Sequence, residues 1–188
     1  MNAEIDQSTL LKPDEKKVHH DYSKFSVGCI LLFPALGGFL FGYDIGGTSV
    51  IIDQIKSPDL SGVDWFSTVK DSSFLQGALT SGSIFGAIIG SLVCFKIELI
   101  IGRKRELIFA SVFYFIGAAL KFASSLDWTK NDFSIAILLI GSIIYGLGIG
   151  FSMHGAPTYI SEMSPSSVRG FMVGMKEVFV VTGILIGY

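Results

Sequence analysis

One carboxylate, Asp44, lies inside an apolar, glycine-rich run of the sequence, residues 35–47 (ALGGFLFGYDIGG). An ionisable side chain at the centre of a membrane span costs about 2.5–3.5 kcal/mol, so such residues usually face a cavity or a partner and mark a transport path. Removal from water also favours the protonated form of a carboxyl group. Asp44 could therefore take up a proton on one side of a membrane and release it on the other, as a proton-coupled carrier requires. The alternative is an aspartate near the interface that caps its helix locally.

Three further ionisable residues lie in apolar segments: His154, Lys176 and Glu177. For His154 we favour a hydrogen-bonded packing histidine. Lys176 and Glu177 are adjacent, and adjacent helical residues point roughly 100° apart, so the two need not pair. One of them could line a cavity while the other reaches the membrane surface. The two cysteines, Cys29 and Cys94, both lie in apolar runs, which is typical of buried free thiols.

The composition predicts an all-α multi-pass membrane protein. Half of the 188 residues are hydrophobic, 16% are charged and the mean hydropathy is +0.59, whereas a soluble domain has about 25% charged residues. The net charge of −2 offers no basic patch for nucleic acid. The sequence has no nucleotide-binding loop, metal-ligand spacing or nucleophile triad. We therefore expect a binding protein rather than an enzyme, without catalytic residues, metal or organic cofactor.

The elements that must position these side chains are five apolar segments. A bilayer core of about 30 Å needs about 20 helical residues, and these segments meet or approach that length. Residues 1–24 are polar and predict a disordered cytosolic tail. Within the tail, Asp6–Leu11 fits an acidic dileucine sorting signal, but chance matches are common, so vacuolar or other endomembranes and the plasma membrane stay alternatives. The predicted transmembrane helices are residues 25–52, 73–97, 107–124, 133–160 and 171–188.

Charge in the loops predicts the orientation. Lysine and arginine near the ends of spans favour the cytoplasm. The second loop carries Arg103, Lys104 and Arg105, the fourth carries Arg169, and the first is rich in aspartate. We therefore predict that the tail, the second loop and the fourth loop are cytosolic and that the first and third loops are outside.

Small residues predict close helix packing. Glycine recurs every four residues in the first and second spans, and such faces let helix backbones approach closely in lipid. These residues are Gly38, Gly42 and Gly46, then Gly82, Gly86 and Gly90.

Three motifs resemble those of the sugar porter family of the major facilitator superfamily. They are Phe41-Gly42-Tyr43-Asp44, Gly102-Arg103-Lys104 and the run of residues 157–170 (PTYISEMSPSSVRG). Among members of the family, the chain is most similar to the plant-type plastid and vacuolar sugar transporters of the xylose–proton symporter-like kind.

The resemblance implies a fold of twelve transmembrane helices in two halves, with a sugar site between the halves. This chain would supply five helices of the N-terminal half, and a complete carrier would need the missing C-terminal half. Asp44 matches the proton-coupling aspartate of the family's symporters, and Phe41 matches an aromatic residue that packs against the sugar. Glu177 stands where many members have a sugar-binding glutamine. The implied partners are a monosaccharide and the lipid bilayer, with a proton as the coupling ion.

The resemblance also implies a cytoplasmic gate of opposite charges. Gly102 permits a tight turn before the first of them. Between the last two, Ser164 can cap the next helix and Pro165 can open it. The gate residues would be Arg103, Lys104, Glu162 and Arg169.

One departure from the family pattern concerns the partner of the aspartate. Family symporters often carry an arginine early in the fourth helix that pairs with it, and the matching residue is Ser142. We therefore expect Asp44 to lack its obvious partner, and either to ionise less readily or to pair with a group outside this chain.

The residues and the resemblance together predict part of a proton-coupled monosaccharide symporter that works by alternating access. Two alternatives stay open. One is a passive sugar facilitator, and the other is a truncated membrane protein that does not transport.

Overall fold

The apolar segments of the sequence form long helices. The computed structural model describes residues 24–56, 66–125 and 131–188. The predicted cytosolic tail and its sorting signal therefore lie outside the described residues, apart from Lys24. In chain order the helices are α1 (Lys24–Lys56), α2 (Phe66–Asp71), α3 (Ser73–Ile101), α4 (Arg103–Ser124), α5 (Asn131–Met163) and α6 (Arg169–Gly187).

Five of the described helices are long and apolar enough to cross a membrane, and the described residues contain no strand. The prediction of an all-α multi-pass protein is therefore confirmed. The spans lie at Leu31–Ile55, Ser73–Glu98, Arg103–Ser124, Phe133–Met163 and Arg169–Gly187.

The short helix α2 was not predicted. Its Val69 is fully buried and packs with Ile55, Leu79 and Ile135, which come from α1, α3 and α5. The helix α2 therefore closes one end of the bundle. We call the other end, where α3 and α5 end and α4 and α6 begin, the motif end.

The long helices form two groups. In the first, α3 and α4 both pack on α5, and we call these helices the α3–α4–α5 trio. In the second, α1 packs chiefly on α6, and we call them the α1–α6 pair. Two of the predicted glycine faces form these contacts. A methyl group on Gly86 would overlap the carbonyl oxygen of Ile143 on α5, and one on Gly42 would overlap that of Val180 on α6.

The turns of the motif end differ from each other. Gly102 joins α3 to α4 at a φ of +76°, a conformation that favours glycine. The prediction that Ser164 caps α6 and Pro165 opens it is wrong, because α6 begins at Arg169 and its N-cap is Val168. The Ser164 amide instead continues the α5 hydrogen-bond pattern to Ile160, and a turn intervenes before α6.

Large apolar side chains cover the outside of the bundle. Phe115 on α4 and Leu185 on α6, for example, are 77% and 76% exposed. Exposed apolar surface on this scale is typical of a protein that faces lipid or another protein subunit.

Candidate functional site

A cleft of about 1040 Å³ opens along α1, α4 and α5. Ligand pockets range over about 300–1,000 Å³, so this cleft is wide enough for a small polar molecule. The surface of its wall is mostly apolar, although ten of the residues that line it have polar side chains. These are Tyr43, Asp44, Thr48, Lys104, Ser111, Tyr114, Lys121, Tyr145, Ser152 and Tyr159.

Asp44 is paired within this cleft. Its Oδ1 lies 2.5 Å from Nζ of Lys121 on α4, and the two side chains are 10% and 23% exposed. The expectation that Asp44 lacks a partner in this chain is therefore wrong. The cation comes from the third membrane span instead of the fourth, where the family's arginine position, Ser142, is buried beside Gly82 of α3.

Two features of its surroundings stabilise the Lys121 ammonium group. Lys121 lies in the last turn of α4, where the partial negative charge of the helix terminus favours a cation. Its Nζ also lies 4.4 Å from the centroid of the Tyr145 ring, a cation–π geometry. The ion pair is therefore supported from both α4 and α5.

Two tyrosines connect the same stretch of α1 to the trio. The Tyr114 hydroxyl donates to the Gly37 carbonyl, and the Tyr145 hydroxyl donates to the Leu40 carbonyl, each at 3.1 Å. The two rings meet edge to face with centroids 4.8 Å apart. Together with the Asp44 ion pair, these bonds make three polar links between α1 and the trio within residues 37–44.

The structure does not bring the two predicted sugar-binding residues into the cleft. Phe41 packs against the core cluster that contains Tyr114 and Tyr145, and it is not among the described residues that line the cleft. The Glu177 side chain is 63% exposed and accepts a hydrogen bond from Lys176 at 3.0 Å. These adjacent residues therefore do pair, and Lys176 is the buried partner.

Two of the four residues predicted to form a gate are in contact. Arg103 Nε donates to Glu162 Oε1 at 3.1 Å, and the Arg103 guanidinium also contacts the Glu98 carboxylate. This joins the end of α3, the start of α4 and the end of α5. Lys104 and Arg169 form no ion pair within the described part of the chain, and Lys104 instead lines the cleft.

His154 is a packing histidine with polar partners, as predicted. Its Nδ1 lies 2.8 Å from Glu106 Oε1, and its ring meets the Phe95 ring with centroids 4.9 Å apart. Cys94 is buried and free, also as predicted. The same prediction for Cys29 stays a prediction, because its side chain lies outside the part that the structure describes.

Sequence reasoning missed Lys121, Tyr114, Tyr145 and Glu106. For Lys121 a signal was available, because it is an ionisable residue within the predicted third span. The two tyrosines resemble ordinary aromatic residues of a membrane helix until their partners are known.

Comparison with known proteins finds a matching family and similar transporters. Residues 30–188 match the sugar (and other) transporter family. The chain is 43% identical to D-xylose-proton symporter-like 2 and 45% identical to D-xylose-proton symporter-like 1 of Arabidopsis thaliana, over 93% and 92% of its own length. It spans about a third of each relative, 32% and 33%.

A solved structure gives the same result for the fold. The chain is similar to XylE, a xylose transporter from E. coli. The matched XylE structure is that of a major facilitator superfamily proton:xylose symporter bound to 6-bromo-6-deoxy-D-glucose. The TM-score is 0.72 at 25% identity, and the match covers 88% of this chain and 36% of that chain.

Proposed function

Because the chain belongs to the sugar (and other) transporter family, we propose that it supplies five helices of a carrier that moves a monosaccharide together with a proton. The observation that carries the proposal is the Asp44–Lys121 ion pair in the wall of the cleft. The relatives named above are xylose–proton symporters or symporter-like proteins. D-xylose is therefore the first sugar to test.

The ion pair suits proton coupling because it joins the two groups of helices. Asp44 lies on α1, and Lys121 lies on α4 of the trio. An ionised Asp44 holds the two groups together, whereas a protonated Asp44 no longer attracts the lysine. Lys121 then keeps its contact with the Tyr145 ring and its place at the C-terminal end of α4. Uptake of one proton therefore weakens an ionic link beside the cleft and shifts the balance between two arrangements of the helices.

The polar side chains of the cleft can receive the sugar. Hydroxyl groups of Tyr43, Ser152 and Tyr159 line its wall and can exchange hydrogen bonds with sugar hydroxyls. We keep Phe41 and Glu177 as sugar-binding candidates. The exposed Glu177 carboxylate is open to a contact with a second half of the carrier.

The motif end would serve as the cytoplasmic gate, with the N-terminus in the cytosol. Arg103 and Glu162 form its ion pair. Lys104 and Arg169, which have no ion-pair partner among the described residues, would meet acidic groups of the missing half when the gate closes. Alternating access then rocks this half against the other around the sugar.

Uptake assays test the proposal. The complete reading frame that contains this chain is expressed in transport-deficient cells and supplied with labelled D-xylose or D-glucose. We expect accumulation above the outside concentration, lost when a protonophore collapses the gradient. Asp44→Asn should abolish accumulation, while Asp71→Asn, at an exposed position at the end of α2, should leave it unchanged.

Two results would reject the proposal. Uptake that reaches only the outside concentration, and is insensitive to the protonophore, would indicate a passive facilitator. Unchanged accumulation by Asp44→Asn would remove the proposed role of that carboxylate.

A further inference from the structure

Three side chains of types that bind zinc meet near the motif end, one from each helix of the trio. Cys94 on α3 has its Sγ 2.7 Å from Oε1 of Glu106 on α4 and 3.6 Å from Nδ1 of His154 on α5. The Nδ1 and Oε1 atoms are 2.8 Å apart. One ligand atom from each residue thus lies within 4.8 Å of the other two.

One oxygen of this group is buried without a partner. The Glu106 side chain is 3% exposed, and its Oε2 has no hydrogen-bond partner among the described residues. A buried carboxylate oxygen without a partner is costly, so a cation or a water is expected beside it. The His154 side chain is 17% exposed.

We propose that Cys94, Glu106 and His154 form a binding site for a divalent cation of the zinc type. A thiolate, an imidazole and a carboxylate are a ligand set that Zn²⁺ takes, with water in the fourth position. Tetrahedral zinc places such ligand atoms about 3.3–3.6 Å apart. The distance from Sγ to Nδ1 already has this value, 3.6 Å. The other two distances need to open by less than about 1 Å.

Protons hold the ligand atoms together when no cation is bound. The Cys94 thiol donates to Glu106 Oε1, and a shared proton must lie between that carboxylate and His154 Nδ1. A divalent cation would replace these protons, since the thiol must ionise to coordinate. Binding should therefore release protons.

The surroundings orient the histidine for this role. Glu98 Oε2 lies 3.5 Å from His154 Nε2, whereas Cys94 and Glu106 lie beside Nδ1, the other ring nitrogen. A carboxylate there favours a proton on Nε2 and leaves Nδ1 for the cation, the arrangement found behind many metal-binding histidines. On α5, Gly155 also leaves room for the carboxylate, because a methyl group there would lie 2.8 Å from the Glu106 carboxyl carbon.

Cobalt(II) is a direct probe, because a bound thiolate gives Co²⁺ an absorption band in the near ultraviolet. The complete protein is purified without a histidine tag, stripped of metal and titrated with CoCl₂. We expect one equivalent to give the thiolate band and Zn²⁺ to displace it. Cys94→Ser should lose the band and bind Zn²⁺ more than about tenfold more weakly.

Cys29→Ser is the matched control within this chain, whose two cysteines are Cys29 and Cys94. It should keep the band. A double His19→Ala and His20→Ala variant should keep it as well, since His154 is the third histidine of this chain. Glu98→Gln should keep the band but weaken Zn²⁺ binding by about 10–100-fold.

Thermal unfolding separates loss of the site from loss of the fold. Zn²⁺ should raise the melting temperature of the wild-type protein and leave that of a folded Cys94→Ser variant unchanged. A wild-type protein without the cobalt band, or a band that survives Cys94→Ser, would overturn the proposal. The three side chains would then form only a hydrogen-bonded cluster.

Discussion

The Asp44–Lys121 ion pair and the polar side chains around Glu106 at the motif end are both largely buried, but they are held in different ways. The first is a single pair beside an open cleft. The second is a network, which we call the motif-end cluster. It comprises Cys94, Glu98, Arg103, Glu106 and His154, connected by the hydrogen bonds and ion pairs described above.

The ion pair and the motif-end cluster connect different sets of helices, which accounts for their different roles. The ion pair connects α1 with α4, which belong to different groups of helices, so the loss of one charge weakens a contact between the groups. The motif-end cluster connects α3, α4 and α5, which already pack closely. A single buried pair between two helix groups is therefore suited to a proton switch, whereas a network within one group is suited to holding a fixed structure. The predictions below test this distinction by substituting one site at a time.

The largest effect on stability is expected at the centre of the motif-end cluster. Glu106→Ala removes the acceptor of the Cys94 thiol and the partner of His154, and leaves a buried cavity. We expect the free energy of unfolding to fall by about 3 kcal/mol, measured by denaturation in detergent. The number of protons carried per sugar should stay that of the wild-type protein. A changed ratio would contradict the distinction between the two sites.

The next largest effect on stability is expected at the ion pair, where, unlike at Glu106, transport should also be lost. Lys121→Ala leaves the Asp44 carboxylate without its cation. Loss of one partner of a fully buried ion pair costs about 3–5 kcal/mol, and solvent in the cleft reduces this to about 2 kcal/mol. Accumulation of sugar in cells should be lost as well. Lys121→Arg keeps the charge and should retain most accumulation, and an inactive arginine variant would show that charge alone does not explain the pair.

A smaller effect is expected at Tyr145, which supports the ion pair from α5. Tyr145→Phe removes one hydrogen bond to the Leu40 carbonyl but keeps the ring beneath Lys121. We expect a loss of about 1 kcal/mol in stability and preserved proton coupling. Tyr145→Leu also removes the ring and should lower accumulation further. Equal transport by the two variants would exclude a role for the cation–π contact.

The smallest effect is expected at the edge of the motif-end cluster. The Glu162 side chain is 51% exposed, and exposed ion pairs contribute about 0–1 kcal/mol. Glu162→Gln in the purified protein should therefore change the free energy of unfolding by less than about 1 kcal/mol. A loss as large as that of Glu106→Ala would place Glu162 inside the network instead of at its edge.

The sequence predicted an all-α fold with five apolar helices because a bilayer imposes length and apolarity on each helix separately. It also identified Asp44, because a lone carboxylate in an apolar run needs an explanation. Its partner was missed because Lys121 lies 77 residues further along the chain, and such pairing depends on how helices pack. The role of Ser164 was predicted wrongly because α5 continues to Met163 and a turn follows, which local capping preferences do not reveal.

Sugar-evoked proton movement tests the role of Asp44 most directly. The complete protein is reconstituted in vesicles or expressed in cells, and the outside pH is recorded as D-xylose is added, with counterflow of labelled sugar measured in parallel. We predict alkalinisation with the wild-type protein, and counterflow without alkalinisation with Asp44→Asn. Alkalinisation of wild-type size with Asp44→Asn would contradict the assignment of the ion pair as the site of proton coupling.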